Sequence, residues 1–231
     1  MKPKHWLFLL IASMMVIVLW RDRILLDARD PIWVHYEPFK WWLLPHGIAL
    51  SLTLLMGPLQ FSSRLRRRYL QWHRVAGRLY VAGVAAGAPL GIAIEAIKYR
   101  IGVAPLRLLV ASSAFGSIFL LTTAAAFTLA RRGRIAEHRR WMTRSFAVAM
   151  VFLEVRCADS IPWIGRLVEG PSNFLETHHI SDAWLYLAIS LSVAEFILRY
   201  GQPRRRKVPA GSGHELAPPF GNRGVARKPG V

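Results

Sequence analysis

The sequence predicts an all-α bundle of six transmembrane helices in one domain. Three observations carry that prediction: six long apolar segments, two arginine-rich patches set between them, and nine tryptophans at or near the segment ends. A helix needs about 20 residues to cross the roughly 30 Å of hydrocarbon in a bilayer, and most of the segments approach that length. An apolar share of 53% and a mean hydropathy of +0.28 are high for a soluble chain of 231 residues.

The first segment, Trp6 to Trp20, is the shortest. Lys2 and Lys4 precede it and no small-x-small cleavage site lies before Arg21, so an uncleaved first helix is expected. Residues 21–40 carry four basic and four acidic side chains around an apolar Ile32-Trp33-Val34 centre, which suits a segment lying along the outer interface. The second span runs from Leu43 to Phe61 and leads into the first basic patch, Arg64 to Arg78. In the third span, Val75 to Ile97, Gly83, Gly87 and Gly91 repeat every four residues on one face, where a second backbone can approach closely. Ala111, Ser112, Ser113, Gly116 and Ser117 offer a matching small surface on the fourth span, Pro105 to Ala130. The second basic patch, Arg131 to Arg144, leads into the fifth span, Met142 to Ile164, and the sixth is Ala183 to Leu198. Residues 1–200 thus form the transmembrane domain. Residues 201–231, rich in Gly, Pro and charge, predict a disordered basic cytoplasmic tail, with Arg204 to Lys207 as a topology anchor.

Basic residues are retained on the cytoplasmic side of a membrane. With the N-terminus inside, alternate turns collect 22 of the 31 Lys and Arg residues on that side, including six in each patch and eight from Arg199 onward. Both termini are therefore expected in the cytoplasm, in a multi-pass protein of a bacterial inner membrane. Trp6, Trp72 and Trp141 would mark the inner boundary, and Trp20, Trp33, Trp41, Trp42, Trp163 and Trp184 the outer side.

The net charge of +18 sits at span ends rather than on one face of a soluble module, which speaks against a nucleic-acid partner and for the lipid bilayer. Cys157 is the only cysteine, which excludes an intrachain disulfide, a CxxC redox pair and covalent haem attachment through CxxCH. There is no glycine-rich phosphate loop, HExxH helix or GxSxG elbow, so soluble-type hydrolase or nucleotide chemistry is not expected.

Two constellations carry candidate chemistry. Glu154 and Arg156 lie near the middle of the fifth span, with Asp159 about one turn beyond Arg156. Charges at that depth normally face the bundle interior and pair, so they serve either a function or a structural clamp. Histidines form the second group. His46 opens the second span on the outer side, with His178 and His179 before the sixth; His73 opens the third span on the inner side, with His138 before the fifth. One pair per leaflet, His46 with His179 and His73 with His138, suits axial ligation of b-type haem. Gly77, one turn after His73, and Gly47, beside His46, would leave room for a flat macrocycle. Arg78 or Arg144 would neutralise its propionates as carboxylate binders. A weaker alternative is zinc held by His178 and His179 with Glu176 and Asp182.

The stretches Trp72-His73-Arg74-Val75-Ala76-Gly77-Arg78-Leu79-Tyr80 and His138-Arg139-Arg140-Trp141-Met142-Thr143-Arg144 resemble the "predicted membrane protein" family, domain of unknown function 2306. The likeness runs from about His46 to Arg156 through the motifs HRxxGRxY and HRRWMxR, and it implies a polytopic bacterial membrane protein with no established reaction. Separately, HRxxGR is similar to a haem-ligand segment of haem A synthases and, more loosely, to the b-type haem bundles of membranes. Three activities stay open at this level. One is haem b electron transfer between a quinone or other small donor and an acceptor, with the haem iron on His73 and His138. The others are a proton-coupled transporter around Glu154 and Arg156, and a non-catalytic scaffold.

Overall fold

The computed structural model describes residues 3–22, 36–160 and 178–200; within these it does not describe the side chains of 3–8, 10, 19, 21–22, 156, 158–160 and 178–182. Among the described residues there is no strand. Seven helices follow in order: α1 (Pro3–Asp22), α2 (Lys40–Gln60), α3 (Ser63–Arg68), α4 (Leu70–Arg100), α5 (Leu106–Arg131), α6 (Ile135–Ser160) and α7 (His178–Tyr200). The expected interfacial segment lies mostly, and the basic tail and the end of the fifth span wholly, outside the described residues.

Among the described residues four helices are long and apolar enough to cross a membrane: Lys40–Gln60, Leu70–Arg100, Leu106–Arg131 and Ala183–Tyr200. The first and fifth of the six expected spans include positions outside the described residues, and α6 carries Arg144, Glu154, Arg156 and Asp159 along its apolar stretch. That helix is nonetheless the centre of the bundle. It packs on α5, α7, α1 and α2, and its residues 145–149 are all buried. The least apolar long helix is thus the one shielded by apolar neighbours.

Local sequence explains the boundaries. The short helix α3 was not anticipated; it starts where Ser62 Oγ accepts a hydrogen bond from Leu65 N at 3.2 Å, a side-chain N-cap. Both α4 and α5 stop at a glycine with positive φ, Gly102 at 75° and Gly133 at 72°. At the first, Gly102 N bonds Tyr99 O and Val103 N bonds Lys98 O; at the second, Gly133 N bonds Ala130 O and Arg134 N bonds Leu129 O. This pairing satisfies the last carbonyls of a helix and needs a left-handed residue that glycine supplies cheaply. Two such stops turn α4, α5 and α6 into an up-down-up run, so α4 and α6 begin at the same, arginine-rich end.

The glycine stripe meets a different helix from the one expected. A Cβ at Gly83 would run into the Thr53 hydroxyl and Ala49 O, one at Gly87 into Leu50, and one at Gly91 would come within 2.8 Å of the His46 ring. The stripe of α4 therefore seats α2. On α5, Gly116 takes Ile92 and Ala88 of α4. The correction follows from shape: three glycines in register open a groove deep enough for a whole helix, while a single glycine on α5 accepts only one isoleucine.

Polarity is distributed as lipid surroundings require. Large apolar side chains point outward, with Leu121 69%, Ile48 62% and Phe196 62% exposed, while the hydroxyls of Ser145, Thr53 and Thr123 are buried. In water such a surface would be an aggregation liability; in a bilayer it is the solvent-matched face. Trp41 and Trp72 stand well exposed close to helix ends, in keeping with aromatic belts.

Candidate functional site at the arginine-rich end

Tyr80 of α4 and Ser145 of α6 touch across the middle of the bundle. Their hydroxyls lie 2.8 Å apart, and Ser145 Oγ is also 2.7 Å from Thr123 Oγ1 of α5. All three residues are buried. Seven residues is nearly two helical turns, so a side chain seven positions earlier falls on the same face about 10 Å along the axis. Seven before Tyr80 is His73, and seven before Ser145 is His138. Since α4 and α6 run in the same direction, both imidazoles stand on the facing sides of these two helices, at the arginine-rich end.

The electrostatics agree with that placement. His73 lies within electrostatic reach of Arg66, His138 and Arg139, three cationic or ionisable groups drawn from α3 and α6. Burial, and then the guanidinium groups of Arg139 and Arg67, lower the pKa of Arg66. The two described carboxylates of this end are engaged elsewhere: Glu137 with Arg134, and Glu195 with Arg144 at 2.6 Å. The site is therefore locally rich in positive charge and suited to an anionic group.

Ring orientation distinguishes the two histidines. His138 Nδ1 is 2.8 Å from Ala126 O, and a carbonyl can only accept, so the neutral ring carries its proton on Nδ1 and its lone pair on Nε2. His73 Nδ1 is buried with no hydrogen-bond partner among the described residues. Such a group is costly unless something satisfies it.

Other expected site residues fall differently. Arg78 is exposed on α4. Arg144 is held by Glu195 and lies 5.0 Å from the Trp141 ring centre. Gly77 was expected to leave open space, but Gln60 fills it: a Cβ at Gly77 would lie 3.2 Å from Gln60 Oε1, and Gln60 Nε2 donates to His73 O at 3.4 Å. At the opposite end, the His46 ring rests on Gly91 with Nδ1 2.8 Å from Gly87 O, while the space beside Gly47 is open. The side chains of His178, His179, Arg156 and Asp159, and all of Glu176, lie outside the described residues. Glu154 is described, and both its carboxyl oxygens receive Ser190 Oγ, at 2.8 and 3.0 Å. Among the described residues no group of three or more His, Cys, Asp or Glu side chains is arranged to hold a metal ion.

Tyr80, Ser145, Thr123 and Gln60 were not singled out by the motifs. A signal did exist: His73 and His138 are each followed at seven residues by a hydroxyl-bearing side chain inside an apolar stretch.

These features define a membrane-embedded helical bundle with a polar, positively charged site at one end. The chain belongs to the family described as predicted membrane protein, domain of unknown function 2306, whose model matches residues 43–198. No curated protein and no solved structure matches the chain.

Proposed function

We propose that this protein is a b-type haem membrane protein whose iron site is built from His73 and His138. The observation that supports it is the shared register: the Tyr80–Ser145 hydrogen bond aligns α4 and α6, and the two imidazoles stand two turns away on the same facing sides. His138 has its Nδ1 hydrogen at a backbone carbonyl, the usual outer support of a ligating imidazole, with Nε2 left to bind. His73 carries a buried nitrogen in need of a partner. Haem held by two histidines supplies one-electron transfer.

This chain's residues would do the rest. Arg66 and Arg139 are guanidinium groups whose charges act on His73 and would hold the haem carboxylates, in place of Arg78 and of the Glu195-bound Arg144. The Gln60 side chain would move off Gly77 to admit a flat ring. A quinol or another small donor within the bilayer is the matching electron source. The second pair, His46 with His179, is not included, because the His46 ring already bonds Gly87 O and the His179 side chain lies outside the described residues.

An absorption spectrum of the protein purified after expression with ample haem tests the proposal. A Soret band with a reduced α band is the expected result, lost in both His73→Ala and His138→Ala. Absence of both bands from the unaltered protein removes the reading.

A further inference from the structure

A second polar site lies between α6 and α7, built from side chains separate from the imidazole pair. Glu154 is half-buried in the C-terminal third of α6, and Ser190 of α7 is 7% exposed. Their neighbours are apolar: Val151 and Leu153 are buried on α6, and Leu187 and Ala194 on α7. Ser190 Oγ reaches both carboxyl oxygens, but a hydroxyl has a single hydrogen to donate.

Four helices pack against α6, and their described charged groups are engaged elsewhere or stand at helix ends. The described side chains of α1 include no titratable group. On α2, His46 is engaged with α4, and Lys40 with Glu37. Arg107 and Arg131 stand at the two ends of α5. On α7, Glu195 is taken by Arg144. Cys157, one turn along α6, faces Glu154, and its thiol lies 3.6 Å from Met14 O. Tyr186 stands one turn before Ser190 on α7, Arg199 lies in the last turn of that helix, and the side chain of Arg156 lies outside the described residues. Among the described side chains no cation compensates an ionised carboxylate here, and one hydroxyl does not replace its hydration.

We propose that Glu154 and Ser190 form a proton-binding site inside the bundle, where Glu154 holds a proton as a neutral carboxylic acid and Ser190 donates to its carbonyl oxygen. The site gains or releases one proton, and no other bond is formed or broken.

Infrared spectroscopy of the full-length protein in lipid at neutral pH tests this. The wild type should show the carbonyl stretch of a protonated carboxylic acid, moving to lower frequency in deuterium oxide. Glu154→Gln should lose that band. Ser190→Ala should keep it at higher frequency, because the carbonyl loses its donor. Absence of the band from the wild type overturns the proposal, as does its survival in Glu154→Gln. Should Glu154→Gln fail to fold, an unshifted band in Ser190→Ala overturns it equally.

Discussion

The Tyr80 and Ser145 hydroxyls meet at 2.8 Å with both residues at 0% exposure, and that one hydrogen bond joins two helices through residues 65 positions apart in sequence. Ser145 in turn touches Thr123 at 2.7 Å, so three helices share one buried chain of hydroxyls. A polar network in an apolar interior is stable only when its members are satisfied, and it then fixes the rotation of each helix about its axis. Here it fixes the rotation of α4 and α6, on which the facing of His73 and His138 depends.

Removing the bridging member should therefore cost more than removing an end. Tyr80→Phe deletes one hydrogen bond and leaves Ser145 with Thr123, a loss of about 1 kcal/mol. Ser145→Ala leaves two buried hydroxyls without a partner and should cost roughly 2 to 4 kcal/mol. Reversible unfolding in mixed micelles ranks the two; an equal or inverted order would show that the chain of hydroxyls is not shared.

The seat of α2 on α4 gives a sharper contrast. Gly83→Ala places a methyl group against the Thr53 hydroxyl and the Ala49 carbonyl, where backbone must shift, and overpacking of this kind costs roughly 1 to 3 kcal/mol. Gly47→Ala points into open space and should be neutral or slightly stabilising. The same unfolding measurement distinguishes them.

Arg144 and Glu195 connect α6 to α7 at 2.6 Å, yet both side chains are about a third exposed. An ion pair so placed contributes little, below about 1 kcal/mol, because solvent and salt screen it. A double-mutant cycle of Arg144→Gln and Glu195→Gln should give a coupling of that size, shrinking as salt is added.

If haem sits between His73 and His138, the neighbouring guanidinium groups favour its more negative, reduced form. Arg139→Gln removes one positive charge, so the midpoint potential should fall while the Soret band persists. A redox titration of the variant beside the wild type reads the sign; an unchanged or raised potential would place Arg139 away from the iron.

Threading can be read by labelling. The one native cysteine, Cys157, is buried, so introduced thiols report alone. Val103, in the turn after α4, is 52% exposed, and Arg67 lies in the exposed helix α3. Val103→Cys should react with a membrane-impermeant maleimide on intact cells, and Arg67→Cys only after permeabilisation. The reverse pattern would invert the inferred orientation.

Much of the architecture was legible in the chain because its determinants are local. Helix existence followed from long apolar runs, whereas the stops at Gly102 and Gly133 were not singled out, because glycine is also common within these helices and only the positive φ marks these two. The α3 helix was missed because its signal is one serine cap before a run of arginines that reads equally as a charged loop. The central place of α6 was also hidden, since hydropathy ranks a helix by its own composition and not by the neighbours that cover it.

Within the candidate site the same division holds. Sequence alone determined that this chain is a helical membrane protein and that His73 and His138 belong to one end of it, because hydrophobic length and arginine placement act residue by residue against the bilayer. Only the tertiary structure decided that Gly83, Gly87 and Gly91 receive α2 instead of α5, that Gln60 covers Gly77, that Glu195 claims Arg144, and that Ser190 meets Glu154. Those contacts join positions far apart in the chain, and their partners are chosen by the shape of grooves and the rotation of helices, which no local pattern of residues records.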